Sequence, residues 1–471
     1  MTDPAADGVP EPSEVGPAGE PIAEPDAPEP ALVAFRSREF RIFFTAGLIS
    51  NTGTWMQTVT VPFVIDQLTH STALVGLSAF CTYFPATIVS PLAGSLADRH
   101  DRRNVLMWAQ AVMMAMAAVL WLLWSTGTAT TASILAAVII GALGTGVTTA
   151  AWQSYVPQLV PRPAMLSAVR LNSMQFTGAR AVGPALGGLV LATLGPAAAF
   201  GINAVSFLAV IGALLLLTPR PPEPLAEDVG VMRHFREGVR YLRRREVFVV
   251  SVLLVCFIAM FGVALVQLLE PFTRHVLDVG AGVYGLLTAG YGAGAVVGGV
   301  FMVAFGDTFR RSHLATVGLF AMAVGTVALG FSPGWVLALG ALFVMGAAQV
   351  FCTVSCNLAL QVNVDENFRG RISSLFLMSF FAAAPLGALI GGIIGEAVGL
   401  RPTIVGAAVC LTLLTLWAFV RYGRLHSLDE AEPIADTVVG PHPAPHPAPL
   451  PVDLDGAGHL TIEPVTIEPI E

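Results

Sequence analysis

Residues 94–125 read GSLADRHDRR and then NVLMWAQAVMMAMAAVLWLLWS, a charged cluster followed by an apolar run of 22 residues. An α-helix rises 1.5 Å per residue, so the run is about 33 Å long, close to the thickness of a bilayer's hydrocarbon core. A lone strand would leave backbone groups unsatisfied in lipid, whereas a helix satisfies them internally. The stretch therefore predicts a membrane-spanning helix that begins at a charged interface.

The composition of the whole chain agrees with this prediction. Of 471 residues, 55% are apolar and 12% are charged, whereas a soluble globular protein is typically about 25% charged. This difference excludes most soluble enzymes and any disordered scaffold. Runs of about 20 apolar residues predict twelve membrane helices. They lie near 41–68, 73–97, 104–125, 130–155, 164–194, 197–217, 246–271, 280–304, 313–331, 335–357, 370–396 and 401–421.

The arginines set the expected orientation, and all 24 basic residues are Arg. Twenty fall on one side of the predicted helices, two (Arg274 and Arg401) fall on the other, and Arg170 and Arg180 lie within the fifth helix. Positive residues concentrate in cytoplasmic loops, so both termini are expected in the cytoplasm of a bacterial cell, with the body in its inner membrane. The first 34 residues lack the basic and apolar regions of a signal peptide.

The chain divides into five expected segments. The Pro-rich tails, 1–34 and 425–471, hold 17 of the 32 acidic residues and no Arg, a composition typical of disorder. Six-helix bundles over 35–217 and 246–424 flank a linker, 218–245, whose periodicity predicts an amphipathic helix on the membrane surface or a solvated one. The tails account for the net charge of −8, so the body is basic and anionic lipid is an expected partner.

The two bundles repeat each other in sequence. Two offsets, 209 and 204 residues, relate matching positions in the first and second halves. The pairs are Asp98 and Asp307, Arg102 and Arg311, Gly187 and Gly391, Gly188 and Gly392, and Gly195 and Gly399. Paired repeats around a central pathway are typical of secondary transporters.

The charged cluster at 94–103 carries the most specific pattern. A Gly permits close helix approach, an Asp is favourable at the positive N-terminus of a neighbouring helix, and Arg pairs with acids or lipid phosphates. Such a cluster suits a latch that forms in one conformation and breaks in another. The expected latch residues are Gly94, Asp98, Arg99, Arg102, Arg103, Asp307 and Arg311.

This cluster resembles the loop signature of the major facilitator superfamily, Gly-x-Leu-Ala-Asp-Arg-x-Gly-Arg-Arg, with Asp101 in place of the second Gly. The resemblance covers about residues 36–424. It implies an all-α fold of twelve transmembrane helices in two pseudo-symmetric six-helix bundles, which transports by alternating access. Further residues resemble the enterobactin-exporter-like, or transmembrane secretion effector, branch: Gln67 to Ser71, Pro85, Pro91 to Gly94, Asn172, Arg180, Gly183, Pro184 and Asn203.

The fifth helix carries a second motif, GARAVGPALGG at 178–188. A Pro inside a helix removes a backbone donor and bends it, and small residues allow close packing. The pattern resembles the helix-5 motif of exporters in the superfamily, which implies export; a packing kink is the alternative. The motif residues are Arg180, Gly183, Pro184, Gly187 and Gly188.

Ionisable residues inside a membrane are functional candidates. Arg180 needs a partner, and Asp66 and Glu270, near helix ends, are the available acids. Burial shifts carboxyl groups toward proton binding, so these acids are the proton-coupling candidates, Asp66 first, unless both face water at the interface. The fourth helix has no ionisable residue, although many drug–proton antiporters of the superfamily that this chain resembles carry an Arg there, so the resemblance does not extend to their standard proton coupling.

Polar and aromatic residues on helices 1, 4, 7 and 10 are the candidates for the substrate cavity. They are Asn51, Trp55, Gln57, Thr148, Trp152, Phe261, Gln267, Gln349 and Asn357. Each of them alone is equally typical of a helix–helix contact. Together they favour a bulky amphipathic substrate over a sugar or a small ion.

These features predict a secondary active exporter of amphipathic small molecules such as a drug, a siderophore or a lipid-like metabolite, acting as a monomer by proton antiport. No phosphate-binding loop and no Lys is present, so the chain has no ATP site of its own. A transporter-like receptor or assembly partner, and an importer, are the alternatives. No enzymatic centre, cofactor, metal site or nucleic-acid partner is expected, and the five Cys read as small buried apolar residues.

Overall fold

The computed structural model describes residues 32–99, 101–218 and 231–429, and it is all-helical within these ranges. Every predicted membrane run overlaps a helix or, in one case, a series of helical segments. The helices are α1 (Arg38–Thr69), α2 (Thr72–Arg99), α3 (Arg102–Ser125), α4 (Thr131–Tyr155), α5 (Met165–Thr193), α6 (Gly195–Leu216), α7 (Val231–Leu242), α8 (Glu246–Ile258), α9 (Ala264–Val266), α10 (Leu269–His275), α11 (Ala281–Phe305), α12 (Arg311–Gly330), α13 (Trp335–Asn363), α14 (Glu366–Val398) and α15 (Leu400–Arg421).

Ten helices within the described ranges are long and apolar enough to cross a membrane. The remaining long helices, α1 with 32 residues and α5 with 29, also exceed the length that a bilayer requires, but they are more polar. The polar residues of α1 and α5 include several that contact other helices in the functional site. The protein is therefore a multi-pass membrane protein.

The seventh predicted helix, 246–271, is interrupted rather than continuous. A π-helical turn, Ala259–Val263, follows α8, and a second break at residues 267–268 separates α9 from α10. Pro271 explains the second break, because its ring would clash with the carbonyl of Gln267 in a continuous helix. At the π turn, Gly387 of α14 packs directly against the carbonyl of Met260. The interruption places the short helix α10 at the end of the bundle.

The two halves meet through three helix pairs: α2 with α14, α5 with α11, and α1 with α10. These contacts include the end of the bundle where α1 ends and α2 begins, which we call the Asp66 end. Two glycine contacts bring backbones together there: a Cβ on Gly188 would overlap the Cα of Gly285, and a Cβ on Gly392 would lie 3.1 Å from the Cα of Gly76. The offsets of 209 and 204 residues relate these two contacts. The sequence repeat is thus a repeat of packing.

The glycine that precedes each of these, Gly187 on α5 and Gly391 on α14, faces a helix of its own half. A Cβ on Gly187 would lie 3.0 Å from Val59 of α1, and a Cβ on Gly391 would lie 3.1 Å from Leu268, just after α9. The adjacent positions, Gly188 and Gly392, face the opposite half. Each Gly-Gly pair therefore lets one helix approach both its own bundle and the other one.

Gly195 and Gly399 occupy equivalent junctions, between α5 and α6 and between α14 and α15. Their φ angles are +81° and +93°, which L side chains rarely adopt. We expect Gly195→Ala and Gly399→Ala each to destabilise the fold by about 1–2 kcal/mol. Thermal unfolding in detergent measures the loss. Gly212→Ala is the control, because no atom would lie within 4 Å of its Cβ and its φ is ordinary; equal melting of all three variants would contradict the assignment.

The linker helix α7 packs on α14. The Tyr241 hydroxyl donates to Oδ2 of Asp365 over 2.7 Å, and its ring stacks on Phe368 at 4.3 Å. Arg371 of α14 pairs with Glu237 over 2.9 Å. Burial and the Asp365 carboxylate raise the pKa of Tyr241, so its hydroxyl stays protonated and donating. The described part of α7 is held by the C-terminal half.

The described chain includes the first residues of the predicted C-terminal tail, 425–471. Leu425 and Leu428 are buried in a 3₁₀ turn, Gly423–Leu428. The Asp429 carboxylate accepts from the backbone N–H of Ser312 (2.9 Å) and from its hydroxyl (2.5 Å). An acid at the start of α12 is favourable there. Residues 1–31 and 430–471 lie outside the described residues.

Candidate functional site

A cluster of charged residues joins the two halves at the Asp66 end. Asp66, near the end of α1, is fully buried. Its Oδ1 accepts a hydrogen bond from Nε2 of His275 at 2.9 Å, and its Oδ2 lies 3.4 Å from Nη1 of Arg274. Both partners belong to α10, so the ion pairs cross between the halves. His70 lies beside this cluster, with its ring 6.2 Å from that of His275.

Glu270 completes the cluster and is 2% exposed. Its carboxyl lies close enough to Asp66 for the two charges to interact. Oε2 of Glu270 and Oδ2 of Asp66 are buried without a hydrogen-bond partner among the described residues. Two buried carboxylates side by side cannot both remain ionised cheaply, whereas one shared proton removes the repulsion and satisfies both oxygens. A carboxyl pair of this kind is suited to binding one proton.

Local sequence explains why these residues meet. His70 ends α1 in the left-handed conformation, with φ of 50°, and its N–H donates to the carbonyl of Asp66. The break before α10 turns Glu270, Arg274 and His275 toward α1. Asp66, His70 and His275 also place potential metal-ligating atoms within 4.8 Å of one another. Arg274 lies 3.4 Å from Oδ2 of Asp66, so the same carboxylate also takes part in an ion pair.

A second polar contact closes the same end. Glu396, near the end of α14, accepts from the Ser71 hydroxyl (3.1 Å) and from the Ala73 N–H (3.3 Å) at the start of α2. Together with the glycine contacts, these bonds hold the halves together at the Asp66 end.

Arg180 lies at the middle of α5, away from both acids. Among the described residues, no carboxylate lies within 4 Å of its guanidinium. The prediction that Asp66 or Glu270 pairs with Arg180 is therefore wrong. Instead, the guanidinium lies over the ring of Trp55, 5.5 Å from the centroid. It is also near enough to Tyr83 and Tyr291 to interact with both electrostatically.

The remaining helix-5 motif residues position this arginine. A Cβ on Gly183 would overlap that of Trp55, and Gly187 packs on α1 as described above. Pro184 lies inside α5, and its carbonyl is 3.2 Å from the Cβ position of Gly285. The small residues therefore bring α1 close enough for Trp55 to contact Arg180.

The predicted cavity residues fall into two groups. Three make contacts inside the N-terminal half: Gln57 accepts from Asn203 (2.7 Å), Trp152 donates to Asn172 (2.9 Å), and Thr148 contacts Met113. Gln57, Asn203 and Met113 also line a small cavity of about 60 Å³ within that half, whereas Trp152 and Thr148 do not. The second group is mixed: Trp55 contacts Arg180 of α5, Gln267 lies beside Tyr83, Gln349 accepts from the Tyr291 hydroxyl, Asn51 and Phe261 are partly buried, and Asn357 is exposed.

Most of the predicted latch cannot be placed. The side chains of Gly94, Asp98, Arg99 and Asp307 lie outside the described residues. Arg102 donates to the carbonyl of Ser154 (3.4 Å), and the Arg103 guanidinium donates to the carbonyls of Leu214 and Leu215 at the end of α6. Arg311 is the first residue of α12. The described arginines thus anchor α3 to α4 and to α6.

Sequence reasoning missed four contributors: His275, Arg274, Tyr83 and Tyr291. His275 follows Asp66 by 209 residues, the same offset that relates the halves elsewhere. That offset was a usable signal for His275. Tyr83 and Tyr291 lie on α2 and α11, outside the helices chosen for the cavity.

Comparison with known proteins agrees with this architecture. The transmembrane secretion effector family matches residues 30–446. The multidrug efflux pump Tap of Mycobacterium tuberculosis is 26% identical over 413 residues, which cover 85% of this chain and 97% of Tap. The enterobactin exporter EntS of Citrobacter koseri is 27% identical, over 84% of this chain and 95% of EntS.

A solved structure has the same fold. It is a bacterial homolog of the human lysosomal transporter Spinster, in an inward-facing and unoccupied conformation, with a TM-score of 0.68 and 17% identity. The match covers 86% of this chain and all of that one. The family resemblance in the sequence is thereby confirmed, as is the expectation of a transporter rather than an enzyme. The chain belongs to the transmembrane secretion effector family of the major facilitator superfamily.

Proposed function

We propose that the chain is a proton-coupled exporter of amphipathic small molecules, working as a monomer by alternating access. The observation that carries this proposal is the buried Asp66–Glu270 pair, which lies between the two halves together with Arg274 and His275. A proton-binding group at a contact that forms and breaks links protonation to the conformation. The similarity to Tap and EntS, whose names describe a multidrug efflux pump and an enterobactin exporter, supports export.

The proposed topology has twelve membrane spans, with α1 and α5 added to the ten most apolar helices, and both termini in the cytoplasm. The arginine asymmetry supports this orientation. It places the Asp66 end outside the cell, so the structure corresponds to a state closed to the outside. In this layout the tails and α7 lie on the cytoplasmic side, where the basic face of the body favours anionic lipid.

The chemistry of the pair suggests how protons drive the cycle. When the Asp66 end is open to the outside, water screens the two carboxylates. Closing the end around both charges is unfavourable, because burial and like-charge repulsion act together. A proton taken up from outside removes the repulsion and allows closure, and its release to the cytoplasm favours reopening with substrate bound. Each cycle then exchanges protons for substrate.

Accumulation in cells tests this proposal. Cells that express the chain should retain less of a panel of fluorescent amphiphiles than cells with an empty vector, and a protonophore should abolish the difference. Equal retention of every probe would contradict export. Lower retention that survives the protonophore would leave export in place and contradict proton coupling.

A further inference from the structure

Arg180 is a charged group at the middle of a membrane helix for which the described protein supplies no acidic partner. A charge at this depth is costly unless a counter-charge or water compensates it. The acids available to it are committed elsewhere, because Asp66 pairs with His275 and Arg274, and Glu270 lies against Asp66. The counter-charge of Arg180 is therefore expected to come from outside the described residues, and a bound ligand can supply it.

Its surroundings are aromatic and come from both halves. Trp55 of α1 and Tyr83 of α2 belong to the first half, whereas Tyr291 belongs to α11 of the second. The Tyr291 hydroxyl donates to Gln349, so this wall is held in place by α13. Arg180, Trp55 and Tyr83 are partly exposed. A ligand that enters between the halves can therefore reach the guanidinium and the exposed parts of Trp55 and Tyr83, whereas the Tyr291 ring is buried behind them.

These groups define a specific chemistry. A guanidinium offers five N–H donors in a rigid fork that matches a carboxylate, phosphate or sulfonate. Flat rings beside it contact the apolar body of an aromatic or polycyclic molecule. Sites in transporters of this kind lie near the bilayer midplane between the repeats, where Arg180 lies along α5.

We propose that Arg180 is the anion-recognition group of the central cavity, and that the preferred substrates are amphipathic organic anions with an aromatic body. The inference rests on the proposed function, since it names the substrate class of the same pathway. Substrate would supply the missing counter-charge. The Trp55 ring would hold the planar guanidinium by its face, while the anion binds at the edge of the guanidinium. Neutral amphiphiles would bind the same walls more weakly.

Matched probes separate charge recognition from simple apolar binding. The first pair is 8-anilinonaphthalene-1-sulfonate and neutral N-phenyl-1-naphthylamine; the second is 1-pyrenebutyrate and its methyl ester. Each pair shares an aromatic body and differs by one negative charge. Binding to the purified full-length protein in nanodiscs, corrected for empty nanodiscs, gives a Kd for each probe without any need for transport.

The wild-type protein should bind at least one anion about ten- to a hundredfold more tightly than its neutral partner, as expected for charge-assisted hydrogen bonds. Arg180→Gln should remove this preference and leave the neutral Kd unchanged, which also shows that the variant is folded. Arg180→Lys should retain part of the preference, because it keeps the charge without the fork. Arg170→Gln, an exposed position earlier on α5, should match the wild type.

Three results would overturn the inference: no saturable binding of either anion, equal Kd values within both pairs, or an anion preference that survives Arg180→Gln. Equal weakening of both members of a pair would also overturn it, since that indicates a packing role. A failure of the proposed function can be told apart from a failure of this inference. If the anion preference is present but cells do not export the probes, export is wrong and the anion site stands.

Discussion

Asp66→Asn is expected to abolish proton-driven export. An amide at this position takes up no proton, so the pair with Glu270 loses its function, and Arg274, whose side chain is 35% exposed, loses a counter-charge. Transport driven by the proton gradient should fall to about a hundredth of the wild-type rate or less. Glu270→Gln should act in the same direction, because it removes the second carboxylate. Initial rates of probe efflux from energised cells measure both effects.

Glu396→Gln is the matched control for this prediction. Glu396 is an acid at the same end of the bundle, and its amide counterpart keeps an oxygen that accepts from Ser71 and Ala73. Its export should stay near the wild-type rate. If Asp66→Asn and Glu396→Gln export equally well under the same proton gradient, Asp66 is not the coupling group.

Gly188→Leu is expected to hold the Asp66 end open. Any side chain at this position would enter the backbone of α11 at Gly285, which cannot yield as the end of a flexible side chain can. The halves must therefore separate at this end, and export should nearly cease because the closed state is lost. Gly392→Leu, on the equivalent contact with Gly76, should have the same effect. Within α5, Gly178→Leu is the control, because no atom lies within 4 Å of its Cβ position.

Maleimide labelling from outside the cell reports the opening. Thr72→Cys, in a chain without its five native cysteines, places a thiol at the α2–α14 contact, where Thr72 is 7% exposed. Labelling should be many times faster with Gly188→Leu than with Gly178→Leu. Slow labelling in both, together with lost export only in the first, would mean that Gly188 serves folding and not closure of this end.

The sequence predicts the helices well because their signals are local. Apolar runs of bilayer length place each membrane helix within a few residues, and the repeat offsets of 204 and 209 indicate which glycines are equivalent. The break before Pro271 was not predicted, because the apolar run 246–271 favours one continuous helix, although a proline cannot continue a helix through the preceding turn. The packing of α7 on α14 was not predicted either, because its partners lie more than 100 residues further along the chain.

The site was predicted only in part, because its geometry depends on contacts between the halves. Asp66 and Glu270 were identified one by one as membrane acids, but only the fold shows that they adjoin across 204 residues of chain. The pattern of polar residues likewise could not separate Trp55, which lies against the guanidinium of Arg180, from Trp152, which donates a hydrogen bond to Asn172. A helix presents its side chains on several faces, and only the packing of the folded protein determines which face contacts which neighbour.

Simultaneous recording of proton and substrate movement tests the central claim most directly. Liposomes that contain the purified protein are loaded with an exported amphiphile and given an opposing pH gradient. The protein should move protons in the direction opposite to the substrate, and each flux should stop when the other is blocked. Asp66→Asn protein should show neither coupled flux. Substrate movement that proceeds at the same rate without a gradient, and without any proton movement, would contradict the account.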